Sequence, residues 1–339
     1  MTKEWTAREM LELSGMYWKT SALQAGVVLD LFTALDAMAA EGKRADIASL
    51  ARAVQSDERA LGMLVTALTA MGFLGMDQDG ILLPEHSRKY LSRESDEYIG
   101  FIIKHHMHIM PAWSKLAEAV QSGRSTREVS SSDTDDAAER ESFLMGMFNV
   151  AMHQAEKIAA ALDLSGRNRL LDLGGGPGTY AVFFSLANPG LCATIFDRPT
   201  SEPIARNVVR RFGLEDRVGF AGGDFLLDPL PEGYDVAWLS QVLHGEAPAD
   251  AAKLVARAGK TLNPGGLLVI QEFVVDNDRR GPEHPALFSL NMLVGTQGGQ
   301  AYTWAEIEAM LKAAGAVSVS RLDIALPQGC GILVGRMPG

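Results

Sequence analysis

Asp172, Asp197 and Asp224 each stand at or near the end of a short apolar run, and a glycine cluster follows the first. Leu170-Leu171-Asp172-Leu173 leads into Gly174-Gly175-Gly176-Pro177-Gly178, and helix-forming residues run on from Tyr180 to Ala187. Strand, tight turn and helix in that order open an α/β nucleotide-type site. A glycine-rich surface turn with no ligand is the alternative. The dinucleotide fingerprint needs a small residue at its sixth position, and Thr179 stands there. A carboxylate at Asp172 repels a pyrophosphate but helps hold an ammonium or sulfonium group. Asp197 is placed to accept hydrogen bonds from ribose hydroxyls. Asp224, in Gly222-Gly223-Asp224-Phe225, offers an acid for an adenine amino group beside an aromatic to cover the ring. Three such acids describe a nucleoside with positive charge and no phosphates. S-adenosylmethionine (SAM) fits, and NAD fits poorly.

His244, in Val242-Leu243-His244-Gly245-Glu246, follows a further strand pattern and so lies at the sheet edge where ligands bind. It is a candidate base; a histidine capping a loop is the plain alternative.

The elements that must position these residues follow from pattern. Strand candidates are Arg169–Leu173, Cys192–Phe196, Val218–Ala221, Asp235–Leu239, Leu267–Phe273, Val317–Leu322 and Gly331–Val334. Helices such as Pro203–Phe212, Pro248–Thr261 and Trp304–Ala314 lie between most of them, which describes a doubly wound, mainly parallel sheet. Ahead of it, Ala7 to Ala40 has apolar residues at helical spacing in two helices with little charge between Tyr17 and Leu35. Packing against a second subunit accounts for them most simply, and burial against the chain's own second domain is the alternative. Two helices (Ile47 to Val54, then Ser56 to Met71) precede a hairpin pattern around Asp77-Gln78-Asp79-Gly80, which reads as a winged helix. Its second helix offers Arg59 as its only basic residue, so a DNA-reading role is not expected. Helical residues from Tyr98 to Val120 carry His105, His106 and His108, with no acid or cysteine nearby to complete a metal site. Gln121 to Glu139 reads as a polar loop, and a helix from Glu141 to Leu162 follows.

Bulk properties agree. A chain of 339 residues suits two domains, and a net charge of −11 argues against a nucleic-acid partner. Cys192 and Cys330 lie in apolar runs and are expected to be buried thiols in a reducing compartment. The first residues lack a signal core, and no apolar run approaches the ~20 residues that span a bilayer. The expectation is a cytoplasmic protein off the membrane.

The segments LDLGGGPG, FDRP, GGDF, LSQVLHGEAP and LNPGGLLVIQEF, in this order and spacing, resemble the class I methyltransferase domain of small-molecule O-methyltransferases of plant phenolic and bacterial secondary metabolism. GMYWKTSALQAGVVLDLFTAL is similar to their dimerisation helices. The resemblance implies a seven-stranded Rossmann-like domain at 164–339, helical linker and pocket helices at 98–163 and a mostly α winged-helix dimerisation domain at 1–97. It implies an intertwined homodimer that moves a methyl group from SAM to a hydroxyl of a small aromatic or polyketide-like molecule, without a metal. Asp172, Gly174, Gly176, Gly178, Asp197, Arg198, Gly223, Asp224, Phe225, Ser240 and Gln241 become the cofactor contacts. His244 becomes the base and Glu272 the acid that orients it. Trp113, Phe148, Met152, Phe288, Met292 and Tyr302 become acceptor contacts, with Tyr17 reaching over from the partner. In two places the chain departs from the family. Gly245-Glu246 replaces Asp-Trp after the histidine, and Ala301 stands where a second supporting acid belongs. That loss keeps C- or N-methylation open, and a SAM-binding winged-helix regulator is the non-enzymatic alternative.

Overall fold

The structure, a computed structural model, describes residues 4–127 and 136–339. The expected polar loop lies partly outside them, as does the very start of the chain. Two compact units divide between His108 and Ile109.

The first unit runs α1 (Ala7–Ser14), α2 (Tyr17–Val28), α3 (Leu31–Ala40), α4 (Ile47–Ala53), α5 (Glu58–Ala70), β1 (Gly75–Asp77), β2 (Gly80–Leu82) and α6 (Glu85–Leu91). α7 (Gly100–Trp113) crosses the division. The region expected as two helices therefore forms three. Gly15 ends α1, and Asp30 takes the left-handed φ of 56° that breaks α2 from α3. Capping boxes from Thr6 and Asp46 start α1 and α4. The pair α4–α5 and the antiparallel β1–β2 hairpin form the helix, helix, hairpin order of a winged helix. Leu31, Phe32, Leu50, Leu61, Val65 and Leu68 make its core, while Met10, Leu11, Leu13, Tyr17 and Trp18 stay exposed on α1 and α2.

The second unit continues with α8 (Leu116–Ser122), α9 (Ala137–Ala161), β3 (Arg169–Leu173), α10 (Thr179–Ala187), β4 (Cys192–Asp197), α11 (Glu202–Arg211), β5 (Val218–Gly222), β6 (Tyr234–Ser240), α12 (Pro248–Lys260), β7 (Leu262–Val275), α13 (Glu283–Gly295), β8 (Tyr302–Thr303), α14 (Trp304–Ala313), β9 (Ser318–Arg321) and β10 (Cys330–Arg336). The sheet order is β5-β4-β3-β6-β7-β10-β9. Its β5-to-β7 part is parallel and β10 runs antiparallel to both neighbours. Those seven strands match the sequence pattern. The short β8 is an addition, paired with Val274 and Val275 where β7 overshoots the sheet. One apolar layer forms between the sheet and α9, α10 and α11, and another between the sheet and α12 and α14.

The cysteine expectation is corrected. Cys192 opens β4 with its side chain exposed, and Cys330 is half-buried at the start of β10. Both stand at strand ends, where an apolar run no longer implies a covered side chain.

Candidate active site

The carboxyl ends of β3, β4 and β5 carry the expected cofactor residues. Gly174, Gly176 and Gly178 hold φ of 74°, 51° and 77°, a region that L side chains rarely adopt. The loop is also tight. A β-carbon at Gly178 would run into Ile195, and one at Gly174 into Val242. A ligand can therefore lie against bare main chain here, with α10 starting at Thr179 just behind it.

Asp172 sits beneath this loop, 1% exposed, and its Oδ2 accepts a 3.2 Å hydrogen bond from the Ala181 N–H. Burial pushes the carboxyl up to about 7, and the charge of Asp197 adds to the rise. Asp197, at the end of β4, accepts bonds from Gly176 N–H at 2.7 Å, Arg198 N–H at 2.7 Å and Ser201 Oγ at 2.9 Å. Burial raises its pKa against those bonds. Gly223 donates to the Asp197 carbonyl at 2.9 Å, and a β-carbon on it would meet the Phe196 ring. Asp224 uses Oδ1 to accept from Leu226 N–H at 2.8 Å, while its Oδ2 lies 4.0 Å from the Arg198 guanidinium. Phe225 packs on the α12 side of the sheet.

The ends of β6, β7 and β10 are built from side chains. Ser240 Oγ donates to Gln271 Oε1 at 3.0 Å. The Nε2 groups of Gln241 and Gln271 donate to Cys330 Sγ at 3.4 and 3.3 Å. Burial pushes that thiol up to about 11, so it stays protonated. Gln241 thus reaches across β7 to β10, away from the glycine loop.

Past β6, a 3₁₀ turn at Leu243–Gly245 carries His244. Its Nδ1 lies 2.7 Å from Glu272 Oε2, and its backbone N–H donates to Glu272 Oε1 at 3.3 Å. Glu272 is 1% exposed on β7, and both of its carboxylate oxygens are turned to His244. An ionised carboxylate only accepts, so Nδ1 carries the proton and Nε2 is left to take one. The Phe288 ring stands edge-on to the imidazole at 4.7 Å, backed by Phe273 and His284.

The structure separates the expected acceptor residues. Phe288 meets His244, and Met292 is buried one turn further along α13. Trp113 donates from Nε1 to Asn291 Oδ1 at 2.8 Å, which ties the end of α7 to α13. Phe148, 2% exposed, packs against Phe212 with the Arg211 guanidinium over its ring, so it is a core side chain rather than an open wall. Met152 packs on that same core. Tyr302, 1% exposed, lies under the His244 turn. Tyr17 is 58% exposed in the first unit. Sequence reasoning missed Gln271, Cys330, Asn291 and His284. Gln271 had left a signal, since a second polar residue beside Glu272 interrupts an otherwise apolar strand. Among the described residues, no cluster of three or more His, Cys, Asp or Glu is placed to hold a metal ion.

The sheet order and the glycine loop with Asp197 beside it define the fold of a class I methyltransferase. Comparison with known proteins names the family. The O-methyltransferase domain profile matches residues 113–316, and the O-methyltransferase dimerisation domain profile matches residues 11–92. The chain is similar to the 3-hydroxy-5-methyl-1-naphthoate 3-O-methyltransferase of Streptomyces sahachiroi, with 32% identity over 96% of this chain and 94% of that one. It is also similar to the N,N-dimethyltransferase OxyT of Streptomyces rimosus, with 31% identity over 80% and 79%. Human N-acetylserotonin methyltransferase, solved in complex with SAM, superposes with a TM-score of 0.85 at 27% identity, covering 100% of both chains. The chain belongs to the SAM-dependent O-methyltransferase family of secondary-metabolite type, with an N-terminal dimerisation domain.

Proposed function

We propose that this enzyme methylates a hydroxyl of a small aromatic or polyketide-like metabolite, with His244 as general base and without a metal. The observation that carries the reading is the 2.7 Å contact between His244 Nδ1 and a buried Glu272, which leaves Nε2 free for an acceptor proton. Bound SAM supplies an electrophilic methyl group. The chain's residues supply alignment and proton removal. A phenol has a pKa near ~10 by analogy with tyrosine, so a base beside its oxygen helps at neutral pH. Glu272 holds the imidazole in the basic tautomer and stabilises the imidazolium that forms. Phe288 offers an aromatic wall next to that base.

The cofactor side is read from the same placements. Asp197 and Asp224 face ribose and adenine, with Arg198, Gly223 and Phe225 around them, and Asp172 supports the glycine loop. Ser240, at the end of β6, stays a candidate cofactor contact, whereas Gln241 is turned toward Cys330 on β10. Trp113, Met152, Met292 and Tyr17 stay as candidates for shaping the acceptor site. The dimerisation-domain match supports a homodimer, which would cover the exposed apolar side chains of α1 and α2. No single helix among the described residues is long and apolar enough to cross a membrane; Ala7–Val28 with Leu31–Ala40 passes only as a pair bent by 51°. A cytoplasmic location suits two unpaired thiols.

A second reading, N-methylation, is favoured by Ala301 in place of a supporting acid and by the similarity to an N,N-dimethyltransferase. An amine acceptor needs less help from a base. One experiment separates the two: labelled methyl transfer from SAM to a panel of hydroxynaphthoates, hydroxyindoles and matching amines, with products assigned by NMR. O-methyl products support the proposal, and label found only on nitrogen or carbon overturns it.

A further inference from the structure

His244 sits on a short 3₁₀ turn, and such turns hold poorly on their own hydrogen bonds. Among the described residues its side chain has one carboxylate partner, Glu272. The backbone of the turn is held from below by the segment Thr296–Tyr302. The Tyr302 hydroxyl donates at 2.6 Å to the carbonyl of Glu246, the residue that closes the turn. Gly299 packs so closely that a β-carbon on it would overlap the His244 carbonyl oxygen. The segment is itself fixed, since Gly299 N–H donates to Thr296 Oγ1 at 3.1 Å and Ala301 N–H to Ser289 Oγ at 3.2 Å. Tyr302 is 1% exposed, and burial beside acidic neighbours raises its pKa, so the hydroxyl remains a donor.

We infer that Tyr302 is a positioning residue for His244: its hydroxyl and the bare backbone at Gly299 clasp the turn that carries the histidine. The inference rests on His244 acting as the base. It assigns Tyr302 a contact with the catalytic turn rather than with the acceptor. A side chain bonded to the main chain fixes where the turn lies. Glu272 fixes how the ring is rotated. Both are needed to aim Nε2.

A double-mutant cycle tests this, using whichever hydroxynaphthoate or hydroxyindole of the acceptor panel turns over fastest. Tyr302→Phe keeps the ring and removes one hydrogen bond, so kcat should fall about three- to tenfold with SAM affinity unchanged. In a His244→Ala background the same change should cost less than about twofold, because the residue it acts through is gone. Gly299→Ala, which pushes on the His244 carbonyl, should follow the same pattern with a larger loss. Imidazole NMR needs no acceptor: the His244 Nδ1–H signal, identified by its absence in His244→Ala, should exchange faster with solvent in Tyr302→Phe. Equal losses in both backgrounds, or an unchanged kcat and an unchanged Nδ1–H signal in Tyr302→Phe, would overturn the clasp alone. Unchanged turnover in His244→Ala would overturn the base reading, and the clasp with it.

Discussion

One edge of the sheet carries two differently built halves. At the ends of β3, β4 and β5 the working surface is main chain: left-handed glycines, of which Gly174 and Gly178 have no space for a β-carbon, and carboxylates bonded to backbone N–H groups. At β6 and β7 it is side chains: a histidine on a buried glutamate, with Phe288 standing edge-on to the imidazole. A backbone cradle accepts little change, because nearly any side chain added to it collides. A surface of side chains can be exchanged one residue at a time around a fixed histidine. On the proposed reading the first half holds the methyl donor, and the second, where Gly245, Glu246 and Ala301 stand, shapes the acceptor side.

That contrast can be broken from either half. The largest effect belongs to the side-chain half. Glu272→Gln keeps the shape but removes the charge that fixes the tautomer, and kcat should fall about 10²-fold with the SAM dissociation constant unchanged. Steady-state kinetics beside calorimetry checks both, and a shift in SAM affinity would mean that the halves are not separate. In the backbone half, Asp197→Ala should weaken SAM binding by about 1–3 kcal/mol, the worth of one or two charge-assisted hydrogen bonds. An unchanged dissociation constant would remove Asp197 from the cofactor site. Gly178→Ala should lower folding stability by about 1–3 kcal/mol, since φ is 77° and the new methyl meets Ile195. Unfolding in urea measures it, and a neutral result would show that the loop has slack.

A further test of the backbone half is a pH dependence. Asp172 is raised from 3.8 to about 7 in the folded chain. Such a group contributes stability that is fully present below about pH 4 and is lost as pH rises through about 7. Asp172→Asn removes that dependence, so the melting temperature of the variant minus that of the parent should grow between pH 4 and pH 8. A constant difference would mean that the carboxyl ionises freely.

The backbone half was largely legible in the sequence, because glycines and acids beside apolar runs leave a spaced pattern. Strand ends agree within a few residues for the same reason. What pattern could not reveal was direction. Asp172 lies under the loop rather than on it, a matter of which side of β3 its side chain takes. Phe148 and Tyr302 carry aromatic rings that suit a pocket as well as a core, and only packing shows them buried. Gln241 closes β6, but its bond to Cys330 depends on β10 arriving from far along the chain. The break at Asp30 was hidden because an aspartate in a helical pattern does not announce a left-handed backbone.

The central claim is that the base and the methyl donor's cradle are separate parts of one edge. Its most direct test is His244→Ala, with SAM affinity and single-turnover methyl transfer measured on the same preparation. The account predicts an unchanged dissociation constant and transfer slowed by roughly 10²–10⁴-fold. Unchanged transfer, or a loss of SAM binding that alone explains the slowing, would contradict it.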